Sequence, residues 1–172
     1  LRAVAFSIAD GQLPSNIKAG YVIRRILRRA VRYGYTYLDL QEPFIHKLVP
    51  VLVSQMGEQF PEIKSQEELI GKVIMEEEST FLRTLSQGIK KFEQYIAEKK
   101  KNKVIDGRFA FELFDTYGFP VDLTRLMAIE KGWEVDMKGF NKGLEEQKSR
   151  SRQAAEKEQE EWIQVKKIAG TT

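Results

Sequence analysis

Five arginines, Arg24, Arg25, Arg28, Arg29 and Arg32, crowd into the run VIRRILRRAVR, and no acid occurs anywhere between Gln12 and Leu38. Guanidinium groups are permanently charged planar forks whose donors match phosphate oxygens. On a wheel of 100° per residue the five fall within roughly 140° of one another, opposite Val22, Ile23, Ile26, Leu27, Ala30 and Val31. This period predicts a helix from about Lys18 to Tyr33 that buries its apolar side and presents the arginines to solvent. Two uses are open for such a stripe. It can follow the phosphates of a nucleic acid, or it can be a solvated face balanced by acids elsewhere in the chain. Balanced faces usually mix Lys and Glu in helical register, so the acid-free run favours nucleic acid. A membrane surface fits less well, because the run lacks Trp and Phe and its apolar side is needed for the core.

Two further polar residues stand out by context. Asn16, in Pro14-Ser15-Asn16, immediately precedes the predicted helix, where a cap or turn residue is the ordinary expectation. Asp115, in LFDTYGFPVDLT, sits among two aromatics, Gly118 and Pro120, at a corner where helix interiors tolerate Asp poorly. There too a turn residue is the ordinary expectation, with Gly118 and Pro120 completing the turn. His46 is the single histidine and there is no cysteine, so this chain by itself can build neither a thiolate or His-based metal site nor a Ser-His-Asp triad. His46 is expected to be a core or surface histidine. Glu76-Glu77-Glu78 reads as a solvated face with one acid turned inward, and Trp133 and Trp162 read as packing anchors. Neither catalytic nor metal-binding residues are expected.

The elements that must position these residues are helical. Arg2 to Ala9 reads as a helix closed by Asp10-Gly11, and Leu38 to Phe60, broken by Pro43 and Pro50, as one or two core helices. Ser65-Gln66-Glu67-Glu68 matches a capping box for a long helix running to about Lys100. Its apolar seam is Ile70, Ile74, Phe81, Leu85, Phe92 and Ile96, interrupted by Glu77 and Gly88. Ile105-Asp106-Gly107 reads as a turn, Phe109 to Phe114 as a short helix, and Val121 to Lys131 as another, stopped by Gly132. Trp133 to Val135 is an extended link, and Asp136 caps a last helix that is polar nearly all round beyond Leu144. The expected fold is an all-α helical bundle with a long mixed-charge helix and a projecting C-terminal helix. Residues 1–152 form the body and 153–172 a charged connector.

The chain has 172 residues, of which 42% are hydrophobic, enough for one domain with a core. Charged residues make up 31%, which calls for a large solvated surface, and the net charge of +3 matters less than its concentration in the first quarter. No apolar run approaches the ~20 residues that span a bilayer, and no signal-peptide pattern opens the chain, so a cytoplasmic location is expected. LRAVAFSIAD begins within an apolar period without Met, as a piece of a larger protein would.

The stretches ADGQLPSNIKAGYVIRRILRRAVRYG and FELFDTYGFPVDLT together resemble the alanyl-tRNA synthetase family, in the region that follows its class II catalytic core. IGKVIMEEESTFLRTLSQGI and DMKGFNKGLEEQKSRSR are similar to the same family, so the resemblance covers nearly the whole chain. It implies a tRNA-recognition domain that binds the acceptor stem of alanine tRNA and identifies its G·U wobble pair. By motif, Asn16 and Asp115 are implied as the readers of that pair, with Lys18, Arg24, Arg25, Arg28, Arg29 and Arg32 along the RNA backbone. One departure is Ala19, where many members carry Arg; the adjacent Lys18 is expected to supply the charge. The resemblance also implies that ATP and Mg belong to a preceding catalytic core and zinc to a following editing domain. This chain alone is then expected to recognise RNA without catalysis, needing no cofactor of its own. The alternative is a stand-alone helical nucleic-acid-binding or scaffold module, which would leave LFDTYGFPVDLT unexplained.

Overall fold

The structure is a computed structural model that describes residues 1–99 and 103–160, the last eight of these by backbone alone. Trp162 and most of the expected connector lie outside the described residues. Within them, eight α-helices follow one another: α1 (Arg2–Ala9), α2 (Lys18–Leu38), α3 (Val49–Met56), α4 (Pro61–Ser65), α5 (Glu67–Glu98), α6 (Gly107–Asp115), α7 (Val121–Glu130) and α8 (Met137–Glu160). A 3-10 turn, Ile45–Leu48, leads into α3, and two short strands, β1 (Val104–Ile105) and β2 (Glu134–Val135), complete the set. The all-α bundle is as the periodicity indicates.

The longest element, α5, has 32 residues and therefore runs roughly 48 Å. Ile70, Ile74, Phe81, Leu85 and Phe92 are buried along it, and α1, α2, α3, α4 and the 3-10 turn pack on its flanks. Phe81 meets the fully buried Phe119 edge to face, with ring centroids 5.6 Å apart. No capping box forms. Ser65 ends α4 and its hydroxyl donates to the Glu62 carbonyl, while Gln66 precedes α5 without a side-chain cap. Pro61 explains the difference, since its fixed φ suits a first helical position and starts a separate short helix there.

Helix α2 continues past Tyr33 to Leu38, where Asp39 turns left-handed at φ 53 and its N–H bonds back to the Gly34 carbonyl. Gly34 lies inside the helix at a contact point, since a Cβ there would strike the Phe44 ring.

The segment expected to be a turn at 105–107 is instead a strand end followed directly by α6. β1 pairs in parallel with β2, through Glu134 N–H to the Lys103 carbonyl at 2.9 Å and Asp136 N–H to the Ile105 carbonyl at 2.9 Å. Two residues per strand carry little sequence signal. The pairing joins the two ends of the α6–α7 unit. Side-chain caps then start the helices on either side. Asp106 accepts from Arg108 N–H at 2.8 Å, and Asp136 from Lys138 and Gly139 N–H at 3.1 and 3.0 Å. α8 lies along α6 through Phe140, Gly143 and Leu144, and from Lys148 to Arg152 its side chains are exposed.

Candidate nucleic-acid interface

The arginine run does not face solvent as a stripe, and the physical reason is Glu77. This carboxylate interrupts the apolar seam of α5 and is only 9% exposed, so a buried charge needs cations beside it. Arg28 approaches it through Nε at 2.7 Å and Nη2 at 2.6 Å, and Arg24 through Nη2 at 3.0 Å. Arg28 and Arg32 are themselves 9% and 5% exposed. The buried arc of α2 therefore runs from Ile23, Leu27 and Val31 across Arg24, Arg28 and Arg32, rotated by roughly 100° from the purely apolar arc. Val22, Ile26 and Ala30, expected in the core, are exposed instead. The acids that balance the run come from other elements: Glu77 of α5, Asp122 of α7, 3.7 Å from Arg25, and Glu130 at the end of α7. Arg29 and Lys18 are exposed, and the Arg25 side chain is two-fifths so.

The chain of contacts continues to the two residues singled out by context. Arg24 Nη1 donates to Asn16 Oδ1, and Arg28 Nη1 donates to the Gly118 carbonyl. Asn16 does not cap α2, which starts after Ile17 without a side-chain cap. Asp115 is the last residue of α6, and its carboxylate accepts from Gln147 Nε2 of α8. The corner behind it is held at several points: Phe119 is buried, its N–H bonds to the Leu113 carbonyl at 2.9 Å, and Thr84 donates to the Tyr117 carbonyl at 2.8 Å. Gly118 has φ 69, and a Cβ there would collide with the Arg28 guanidinium. Only glycine meets both conditions at low cost.

Asn16 and Asp115, about a hundred residues apart in the chain, thus line one cleft of about 280 Å³, together with Tyr21, Arg24, Arg28, Gln147 and Lys148. Lys18, Arg25, Arg29 and Arg32 lie outside its lining. Arg24 can only donate, so it engages the Asn16 oxygen, and the amide NH₂ has no hydrogen-bond partner among the described residues. Gln147 occupies one side of the Asp115 carboxylate with a donor, and the remaining lone pairs stay available. The lining of the one cleft thus includes both an amide donor and a carboxylate acceptor. Burial, assisted by the nearby Asp122 charge, raises the Tyr21 phenol above its ordinary value, so it remains a neutral hydroxyl at physiological pH.

Burial pulls the Arg28 guanidinium below its ordinary value, and Glu77 opposes that shift without cancelling it. At Arg32 burial acts in the same sense, but the two-pronged bond to Glu130, 2.9 and 2.6 Å, outweighs it and raises the group. The Arg32 hydrogen bond in turn lowers the Glu130 carboxyl below 4.5. A depressed carboxyl stabilises the fold above its unfolded value and loses that contribution as pH falls through the folded one. The midpoint difference between wild type and Glu130→Gln is therefore expected to hold from neutral pH to about pH 5 and to vanish below the depressed value. Thermal melts across that range check it, and a difference independent of pH would show that the pair contributes nothing.

Sequence reasoning missed Gln147, Lys148 and Tyr21, and it expected one inward acid where two are buried. Glu78, 0% exposed, accepts from the N–H groups of Phe44, Ile45 and His46, and His46 Nδ1 lies 3.2 Å from it. Glu76 alone of the three is exposed. The position of Glu77 within the apolar seam was the available signal for its role. Gln147 had none, because α8 reads as polar nearly all round at that point. Trp133 is buried, as a packing anchor should be.

Comparison with known proteins adds the family. The chain is 63% identical over 162 residues to an alanine–tRNA ligase of Flavobacterium psychrophilum, covering 94% of this chain and 18% of that protein. It is 58% identical over 168 residues to the alanine–tRNA ligase of Christiangramia forsetii, and 57% over 167 residues to that of Cytophaga hutchinsonii, covering 98% and 96% of this chain and 19% of each relative. The chain spans about a fifth of the length of these relatives. Residues 1–171 match the family described as tRNA synthetases class II (A), and the chain belongs to that family.

Proposed function

We propose that this chain is the part of an alanine–tRNA ligase that binds the acceptor stem of alanine tRNA and reads a G·U wobble pair in it. In this reading Asn16 and Asp115 meet the base pair. The observation that carries it is their convergence on one cleft with complementary hydrogen-bonding character. An A-form helix has a wide, shallow minor groove that side chains can reach and a major groove too narrow to read. Guanine presents its exocyclic amino group in the minor groove, and wobble geometry leaves that group less engaged by uracil. A carboxylate suits this donor, and an amide NH₂ suits an acceptor of the same pair.

Phosphate contact falls to the cations that solvent can reach: Lys18, Arg25 and Arg29 on α2, with Lys148 at the cleft. Arg24 serves at the cleft itself, while Arg28 and Arg32 are engaged within the fold. ATP with Mg and the catalytic core, and zinc with the editing domain, belong to other parts of the ligase, so the isolated chain makes no adenylate.

The test uses the full ligase carrying Asn16→Ala or Asp115→Ala. Charging of wobble-pair tRNA is expected to fall by about 1–3 kcal/mol of transition-state stabilisation, and preference over a G·C replacement to fall with it. Adenylate formation, which involves no tRNA, serves as the control. Equal losses for both tRNAs, with preference intact, would exclude base reading.

A further inference from the structure

We propose that Glu77 is a positioning residue that sets the separation and orientation of the two base-reading side chains, acting through Arg24 on Asn16 and through Arg28 on the corner that carries Asp115. The inference rests on the reading of Asn16 and Asp115 given above. Its basis is the way each group's hydrogen-bonding capacity is used. Glu77 accepts from two arginines, with Oε1 facing Arg28 at 2.7 Å and Oε2 facing Arg24 at 3.0 Å. Each arginine then spends a remaining nitrogen on a different half of the cleft, Arg24 on the Asn16 side chain and Arg28 on the Gly118 carbonyl.

A carboxylate that merely neutralised a buried cation would need one partner. Here one carboxylate joins three segments that lie far apart in sequence, the Pro14-Ser15-Asn16 loop, α2 and the 115–120 corner, and the junction is confined on its remaining sides. Phe81 lies under the Arg28 guanidinium with its ring centroid 5.0 Å from Cζ, and on the corner side the guanidinium is held by the Gly118 carbonyl, in space that any Cβ at position 118 would fill. Planar forks tolerate little rotation without losing a bond. Displacing Glu77 therefore moves both readers together, and the loss falls on the geometry of recognition as well as on stability.

The experiment compares full-length ligase carrying Glu77→Gln, Arg24→Met or Asn16→Ala with wild type. The readout is the ratio of kcat/KM for wobble-pair tRNA to that for its G·C replacement, each normalised to the variant's own adenylate formation. Glu77→Gln is expected to lower the ratio roughly tenfold, within the range for a lost base contact, and to add less than its full effect when combined with Asn16→Ala, because only the arm through Arg28 to the Asp115 corner is then left to lose. Arg24→Met cuts only the Asn16 arm and leaves the Arg28–Glu77 pair, so it answers the question even if Glu77→Gln folds poorly; its ratio is expected to fall similarly. A purely structural role lowers charging of both tRNAs and leaves the ratio alone. If Asn16→Ala lowers the ratio while Glu77→Gln and Arg24→Met do not, the positioning role is overturned and base reading survives. If Asn16→Ala itself leaves the ratio unchanged, base reading falls and this inference with it.

Discussion

Arg28→Met is expected to destabilise the fold by about 3–5 kcal/mol, because it strips a buried carboxylate of its principal partner. Arg24 still reaches Glu77, which places the loss toward the lower end, but the Gly118 carbonyl also loses its donor. Arg29→Met, one position on, is expected to change stability by no more than about 0.5 kcal/mol, as exposed substitutions usually do. For binding the order reverses. If Arg29 contacts phosphate as proposed, Arg29→Met should lower the salt slope of RNA binding by about 0.7 to 0.9. Denaturant midpoints and a salt titration of RNA affinity separate the two effects. Equal stability losses at Arg28 and Arg29 would contradict the observed rotation of α2.

The second large effect is expected at Glu78, whose carboxylate serves three backbone N–H groups at 2.9 to 3.1 Å where α3 is approached. Glu78→Ala leaves these donors without that acceptor, and the Ile45 N–H is buried. A stranded buried donor costs about 1–3 kcal/mol, so the total is expected to reach about 3 kcal/mol or more. Glu78→Gln keeps one acceptor oxygen in place and should lose roughly half as much. Hydrogen exchange gives a local check, since the amides of Phe44, Ile45 and His46 should accelerate in the Ala variant more than in the Gln variant. Unchanged exchange at these three, despite a fall in global stability, would mean the carboxylate acts elsewhere.

Much of the helix pattern is legible from local chemistry. The seam Ile70, Ile74, Phe81, Leu85 and Phe92 marks the buried side of α5, and Asp136 marks the start of α8 through its own side chain. Pro61 and Ser65 show the limit of such reading. Both are local start signals, and choosing between them depends on how the chain packs afterwards. The 104–105 and 134–135 pairing is less legible still, because each strand is stable only once the other has been brought beside it.

The sequence by itself determined the bundle and the charge of α2, and it singled out Asn16 and Asp115, because helical period, turn chemistry and residue type act within a few neighbouring positions. It could not determine which way the arginines point. Periodicity assigns a side chain to solvent by its polarity, whereas the tertiary structure assigns it by its partner, and the partners of Arg28 and Arg32 lie on other helices, at Glu77 and Glu130. The same applies to the cleft. The asparagine and the aspartate are local facts, but their place in one cleft and the partners that hold them come from Arg24, Arg28 and Gln147. These contacts exist only after α2, α5, α6 and α8 have packed, since burial makes an unpartnered charge too costly to leave and so selects the one arrangement that pairs it.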